Sequence, residues 1–270
     1  MDHEIIDSSS GPFGKVEVLQ YAQLAGSSDA RSAQSLFFVT QAGMRLKKVR
    51  ITLPSMKSKI RVEPGALYYM HGALEMKATT GGGLIRGLAR KALTGETLFV
   101  NEIHGKGEVY LEPTFGHFLL VDLDDDEIIV DKTMFYAGLG ELTVSAALNR
   151  TIAGLAGGEG WFQTKITGTG TVVLFSPVPM NEVQVFQLND SKLSVDGNFA
   201  LMRTKGVDFT VEKSSKSWVA TSVSGEGLLQ TFKGTGTVWI APTQGVYKQL
   251  ATENGLSELA GPPGARSTHV

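Results

Sequence analysis

The chain has 270 residues, 42% of them hydrophobic, with 25 Lys plus Arg, 27 Asp plus Glu, 32 Gly and no Cys. A chain of this length and apolar content buries a substantial core, which excludes a largely disordered protein. The formal charge of −2 gives no global attraction for nucleic acid or anionic lipid, and the lack of Cys excludes disulfides and thiolate chemistry.

In chain order, residues 1–10 have no apolar period and read as a mobile tail, without the basic and apolar regions of an export signal. Val16-Glu17-Val18-Leu19 and Leu36-Phe37-Phe38-Val39 are expected strands. Val49-Arg50-Ile51-Thr52-Leu53 alternates like a strand, and a polar stretch through Pro54 and Ser58 leads to a second run ending at Val62, the pattern of a β-hairpin. Gly81-Gly82-Gly83 precedes Leu84 to Leu93, where Leu84 and Leu88 share a face at helical spacing and Arg90 and Lys91 suit a helix C-terminus. This predicts a short amphipathic helix with Leu84, Ile85 and Leu88 as a candidate interaction surface. Gly105-x-Gly107 then opens a strand in which Val109 and Leu111 point to one side. Asp124 to Glu127 and Asn189 to Lys192 each separate two strand-like runs, and both read as the polar turns of β-hairpins. Val144 to Leu155 carries strand and helix signals together and stays open between them. Residues 252–270 read as a second mobile tail.

Two phrases in this series occur three times in the same order. Gly95-Glu96, Gly158-Glu159 and Gly225-Glu226 lie 63 and 67 residues apart, each followed by a Gly-x-Gly-x-Val strand beginning at Gly105, Gly168 and Gly234. Val62-Glu63, Val130-Asp131 and Val195-Asp196 lie 68 and 65 apart, each followed by an apolar run. Such matching intervals mark a triplicated sequence, and many short strands with regular turn signals are the pattern of an all-β sandwich or barrel. About 65 residues with two hairpins can hardly bury a core unaided. The expectation is therefore an all-β fold with one or two short helices, forming a single compact body over 11–250. Its three units would run over roughly 36–92, 93–155 and 156–250 in a pseudo-threefold arrangement, with N-terminal strands completing the last unit near Tyr247.

The segments Glu63-Pro64-Gly65-Ala66-Leu67-Tyr68-Tyr69-Met70, Leu93-Thr94-Gly95-Glu96, Gly157-Gly158-Glu159-Gly160 and Gly234-Thr235-Gly236 resemble the "altered inheritance of mitochondria" family, whose bacterial members were long known as a domain of unknown function. The likeness runs from about Phe38 to Leu250. It implies three tandem units similar to the tryptophan RNA-binding attenuator protein (TRAP-like), a short double-stranded β-helix variant, and it brings no catalytic residues. The family's eukaryotic members are associated with mitochondrial inner-membrane organisation. This chain shows no Arg-rich, acid-poor presequence, so a cytoplasmic protein is expected, with peripheral membrane contact as a variant.

The chemistry-bearing residues give no enzymatic pattern. His3, His71, His104, His117 and His269 include no pair at metal-ligand spacing, and Asp122 to Glu127 begins like a calcium loop but has Glu127 where glycine is needed. No nucleophile elbow or phosphate loop occurs. Glu96, Glu159 and Glu226 recur at one repeat position and read as architectural. No catalytic residue, metal or cofactor is expected. Charge is more informative: Arg45, Lys47, Lys48, Arg50, Lys57, Lys59 and Arg61 crowd one hairpin with no acid between them, while Asp122 to Asp131 holds six acids and no base. Those seven cations are the candidate contact for an anionic partner, with a solvated, charge-balanced rim as the plainer reading. The basic segment has no aromatic platform for single-stranded RNA, so nucleic acid is not expected. The expected function is that of a non-enzymatic scaffold or interaction protein whose partner is another protein or a further copy of itself. A module binding an anionic lipid or a small apolar ligand is the alternative.

Overall fold

The structure is a computed structural model and describes residues 3–78, 100–148, 162–196, 199–213 and 228–261. Along the chain run β1 (His3–Gly11), β2 (Gly14–Tyr21), α1 (Ala30–Gln41), β3 (Lys47–Leu53), β4 (Lys59–Val62), β5 (Leu67–Ala78), β6 (Asn101–Leu111), β7 (His117–Asp131) and β8 (Phe135–Leu148). They are followed by β9 (Phe162–Ser176), β10 (Gln184–Asp196), β11 (Ala200–Thr204), β12 (Val207–Lys213), β13 (Leu228–Ile240), α2 (Gln244–Leu250) and α3 (Gly255–Ala260). The fold is mostly β: the 13 strands form one antiparallel hydrogen-bonded sheet in the order β1-β2-β3-β6-β4-β8-β9-β7-β11-β13-β10, with β5 paired to β6 and β12 to β13. Backbone contacts divide the chain into two units. One comprises Met1–Glu127, Lys132–Ala146 and Thr164–Pro179; the other comprises Ile128–Asp131, Ala147–Gln163 and Met180–Val270.

Strand alternation builds each core. In the first unit Val16 and Val18 of β2, Val49, Ile51 and Leu53 of β3, Ile60 and Val62 of β4, and Val109 and Leu111 of β6 turn one face inward and pack with Phe118, Ala137, Leu139 and Val173. In the second, Leu188, Val195, Val207, Phe209, Phe232, Val238 and Ile240 form a separate cluster. The valines and leucines expected to share a face after each Gly-x-Gly are buried in all three places.

Three of the strands are each paired along both edges. β6 lies between β5 on one edge and β3 followed by β4 on the other. β9 lies between β7 and β8, and β13 lies between β10 and the successive β11 and β12. Each central strand carries the Gly-x-Gly. Gly105, Gly168 and Gly234 have φ of 122°, 123° and 131°, and a Cβ on them would lie 2.0, 2.1 and 2.2 Å from the carbonyl oxygens of Ala73, Glu141 and Gly206. The backbones approach so closely there that only glycine fits.

This geometry corrects the expected hairpins. Asp124–Glu127 and Asn189–Lys192 do not reverse the chain; they lie inside the single strands β7 and β10. Asp125 and Asp190 hold φ of 49° and 43°, a left-handed kink that Asp tolerates, and each backbone N–H donates to the hydroxyl of the threonine inside the facing Gly-x-Gly, Thr169 or Thr235, at 3.0 Å. Along β10 the register slips between Leu188 and Ser191, the mark of a β-bulge. The basic segment is no hairpin either. β3 and β4 run end to end along one edge of β6, separated by the Pro54–Ser58 loop at the place where β7 and β10 bulge. Lys106 occupies the threonine position there, and Gly105 N–H donates instead to the Ser58 carbonyl at 3.0 Å.

Other expectations shift as well. Leu36–Val39 lies in helix α1, because Asp29 caps the backbone N–H groups of Arg31 and Ser32 at 3.0 Å each and the helix it starts runs through the aromatic pair. Residues 3–10 belong to β1, and β2 pairs with β3, so the N-terminal strands extend the first unit rather than reaching the segment near Tyr247. Val144 to Leu148 is strand, and residues 255–260 of the expected tail are helical. The expected helix at Leu84 to Leu93, with Leu84, Ile85 and Leu88, lies outside the described residues, as do Glu96, Glu159 and Glu226.

Gly168→Ala should force the β8 and β9 backbones apart and lower the melting temperature by about 3–10 °C. Gly245→Ala, in helix α2 at a position with nothing within 4 Å of the added methyl, should leave it unchanged or slightly raised. Equal melting curves for the two variants would contradict the close-approach account.

Candidate functional site

The outward residues of β2, β3, β6 and β5 form a continuous polar and aromatic face on the first unit. Register sets it: Glu17 lies opposite Arg50, Arg50 opposite Tyr110, and Tyr110 opposite Tyr69. Glu17 is buried, accepting from Arg50 Nε at 2.8 Å and pairing with Arg50 Nη2 and Lys15 Nζ at 2.7 Å. Burial alone would push its pKa up, but the hydrogen bonds and charges of Lys15 and Arg50 outweigh that and hold it below the ordinary carboxylate value. Lys48 is buried beside three rings, with Nζ 5.1 Å from the centres of Tyr21 and Tyr110 and 5.7 Å from that of Tyr69. It also donates to the Tyr69 hydroxyl at 3.3 Å, and Tyr69 stacks on Tyr110 with centroids 4.4 Å apart. Tyr110 in turn donates to Glu108 at 2.9 Å.

This arrangement consumes most of the cations singled out from the sequence. Lys47 is buried with Nζ donating to the carbonyls of Arg45 and Gly116, and burial lowers its pKa. Lys48 and Arg50 are held as described. Lys59 pairs with Glu141 and Arg61 with Glu102, both at 2.9 Å, and among the described residues Arg61 Nη1 is buried with no hydrogen-bond partner. Arg45 is half-buried, and Lys57 is exposed on the loop between β3 and β4. Five of the seven, Lys47, Lys48, Arg50, Lys59 and Arg61, are therefore engaged within the fold. The sequence reading missed the tyrosines because they arrive from β2, β5 and β6. The signal available was the Tyr68-Tyr69 pair and the spacing Lys48-x-Arg50, which puts both cations on one side of β3.

The edge of that face is β5. Among the described residues β6 is the one strand paired with it, so its other backbone edge is open. Tyr68, Tyr69, Met70 and Met76 are all exposed along it. An open edge carrying aromatic and apolar side chains, with its one lysine, Lys77, confined to the far end of the strand, is a ready site for strand addition. A second feature is a cleft of about 170 Å³ lined by Phe13, Leu123 and Leu139. There Ser9 Oγ and Thr171 Oγ1 donate to Asp122 Oδ1 at 2.7 and 2.6 Å. Its volume falls below the roughly 300 Å³ at which small-molecule sites begin.

The family model described as "Mitochondrial biogenesis AIM24" matches residues 39–243. The chain belongs to the AIM24 family. Membership covers nearly the whole stretch over which the sequence segments carried the likeness. No curated protein matches the chain. Among solved structures, the crystal structure of protein SPYM3_0169 from Streptococcus pyogenes is similar at 19% identity and a TM-score of 0.55, covering 73% of this chain and 88% of that one. At such identity the likeness concerns the fold alone. Among the described residues of this AIM24 chain, no helix is long and apolar enough to cross a membrane.

Glu17 sets a pH dependence. Its folded pKa lies below the unfolded value near 4.5, so the stabilisation is fully present above that value and is lost as pH falls through it towards the folded pKa. Glu17→Gln should cost about 1–3 kcal/mol at neutral pH. It should also flatten the fall of the melting temperature on acidification below 4.5, which thermal melts across a pH series would measure. An unchanged acid slope would contradict this assignment.

Proposed function

We propose that this chain is a non-enzymatic interaction protein that binds other polypeptides by strand addition at β5. The observation that carries the reading is the combination at that edge of an open backbone row with exposed Tyr68, Tyr69 and Met70, braced from behind by the stack of Tyr69 on Tyr110 and by Lys48. A rigid, pre-stacked tyrosine loses little freedom on binding, which favours it as an anchor. The charged side chains of the same face support the reading too, since Glu17, Lys48 and Arg50 are already engaged with one another or with the rings.

The proposal extends to how the scaffold is built: three tandem copies of one three-stranded, TRAP-like unit. What supports this is the triple occurrence of the Gly-x-Gly close approach, the paired bulges at Asp125 and Asp190, and two linking registers of the same form. β4 pairs with β8 as Ile60 to Leu139 and Val62 to Ala137, and the end of β7 pairs with β11 as Ile128 to Thr204 and Val130 to Met202. A pseudo-threefold ring within one chain is one way to repeat that step a third time; pairing between copies is the other.

Amine-reactive cross-linking of the native protein followed by mass spectrometry should place links to other polypeptides at Lys77 on β5, and Met70→Lys should remove them. Links concentrated instead at Lys132 or Lys205, unchanged by Met70→Lys, would overturn the assignment of β5 as the binding edge.

A further inference from the structure

We propose that the strand received by β5 is residues 193–195 of β10 from a second copy of this chain. The inference rests on the reading of β5 as a strand-binding edge and names its partner.

The positions are fixed by glycine. Leu74 lies opposite Gly105 and Val207 opposite Gly234, while a Cβ on Gly168 would sit 3.3 Å from Leu142 Cα, so Leu74, Leu142 and Val207 occupy one structural position. Three residues earlier stand His71, Leu139 and Thr204; five earlier stand Tyr69, Ala137 and Met202. A second observation agrees: Tyr69 faces Tyr110 and Met202 faces Trp239, each five residues after the leading glycine and each just after a register shift. On the other side, Val62, Val130 and Val195 are equivalent by their recurring phrase, which makes Ile60, Ile128 and Leu193 equivalent as well.

Two of these three edge pairs are joined in the chain. Leu139 and Ala137 take Ile60 and Val62, and Thr204 and Met202 take Ile128 and Val130. Burial follows: Ala137 is 0% exposed, Leu139 3%, and Met202 and Arg203 5% each. At the corresponding edge of β5, Tyr69 is 44% and Met70 37% exposed. Among the described residues, β10 is paired with β13 alone, and its Ser194 is exposed where Ile129 and Arg61 are half-buried. The same register applied to the third pair of edges sets Val195 opposite Tyr69, Ser194 opposite Met70 and Leu193 opposite His71, edges that have no partner among the described residues. Two different edges meeting between copies make a head-to-tail contact, which propagates to a ring or an open chain of molecules rather than stopping at a symmetric dimer.

The lack of native Cys allows a clean test. Met70→Cys and Ser194→Cys, made on separate full-length chains carrying tags of different mass, are mixed and oxidised gently; facing residues of paired strands fall within disulfide reach. The expected main product is the mixed disulfide, well above the sum of the two like pairs that random pairing would merely equal, with loss of that excess when Lys192→Cys replaces Ser194→Cys. Light scattering of the unmodified protein should show species larger than a dimer that grow with concentration, and Met70→Lys should reduce them to monomer without changing the circular dichroism spectrum. Random pairing of all cysteines, a concentration-independent monomer, or a disulfide closing only within a single chain carrying both cysteines would overturn the proposal. If β5 still cross-links to other polypeptides in that event, the edge reading stands and only the identity of its partner falls.

Discussion

At Gly105, Gly168 and Gly234 the backbones of neighbouring strands meet so closely that a single methyl group would collide with a carbonyl oxygen. Much else follows from that contact. It pins the register of β5 on β6, β8 on β9, and β12 on β13, because a slip by one residue would bring a side chain into the gap and turn every apolar residue outward. The strand on the other edge of each central strand accommodates this close approach. β7 and β10 do so through a left-handed Asp whose N–H is taken by a threonine hydroxyl, whereas β3 and β4 do so by breaking at the Pro54–Ser58 loop. The long strands that result are wide enough for two neighbours along one edge.

Those long edges are what give the molecule its surface chemistry. Where another strand covers the edge, the residues are buried and mostly apolar; where none of the described residues does, as at β5, tyrosine and methionine are exposed. The outward face behind β5 is organised by pairing opposite charges and stacking rings across four strands. The same interactions that fix the face therefore hold the edge rigid. Lys48 and Arg50 thereby hold Tyr110 and Tyr69 in place.

The periodicity of the chain made the β content and the inward residues after each Gly-x-Gly legible from the sequence, whereas each Gly-x-Gly expected to open a strand from a turn lies inside one. It misread what lay between them. Asp124–Glu127 and Asn189–Lys192 have turn chemistry, but a polar run inside a strand and a polar run between strands look alike until the length of the facing strand is known. Leu36-Phe37-Phe38-Val39 has strand propensity, and only the Asp29 cap two residues before Arg31 signals the helix. The basic segment was visible as charge, yet its role depended on acids far away in sequence: Glu17, Glu102 and Glu141 neutralise Arg50, Arg61 and Lys59. Its aromatic neighbours were equally remote. Local pattern could not bring such residues together, because strand pairing did so.

The account's central claim is that one linking register is used twice within the chain, and nuclear Overhauser contacts test it most directly. Cross-strand contacts between the backbones of Val62 and Ala137 and between those of Val130 and Met202 should appear together, at the same offset from Gly168 and Gly234. Finding one pair while the other is shifted by a residue, or absent, would contradict it.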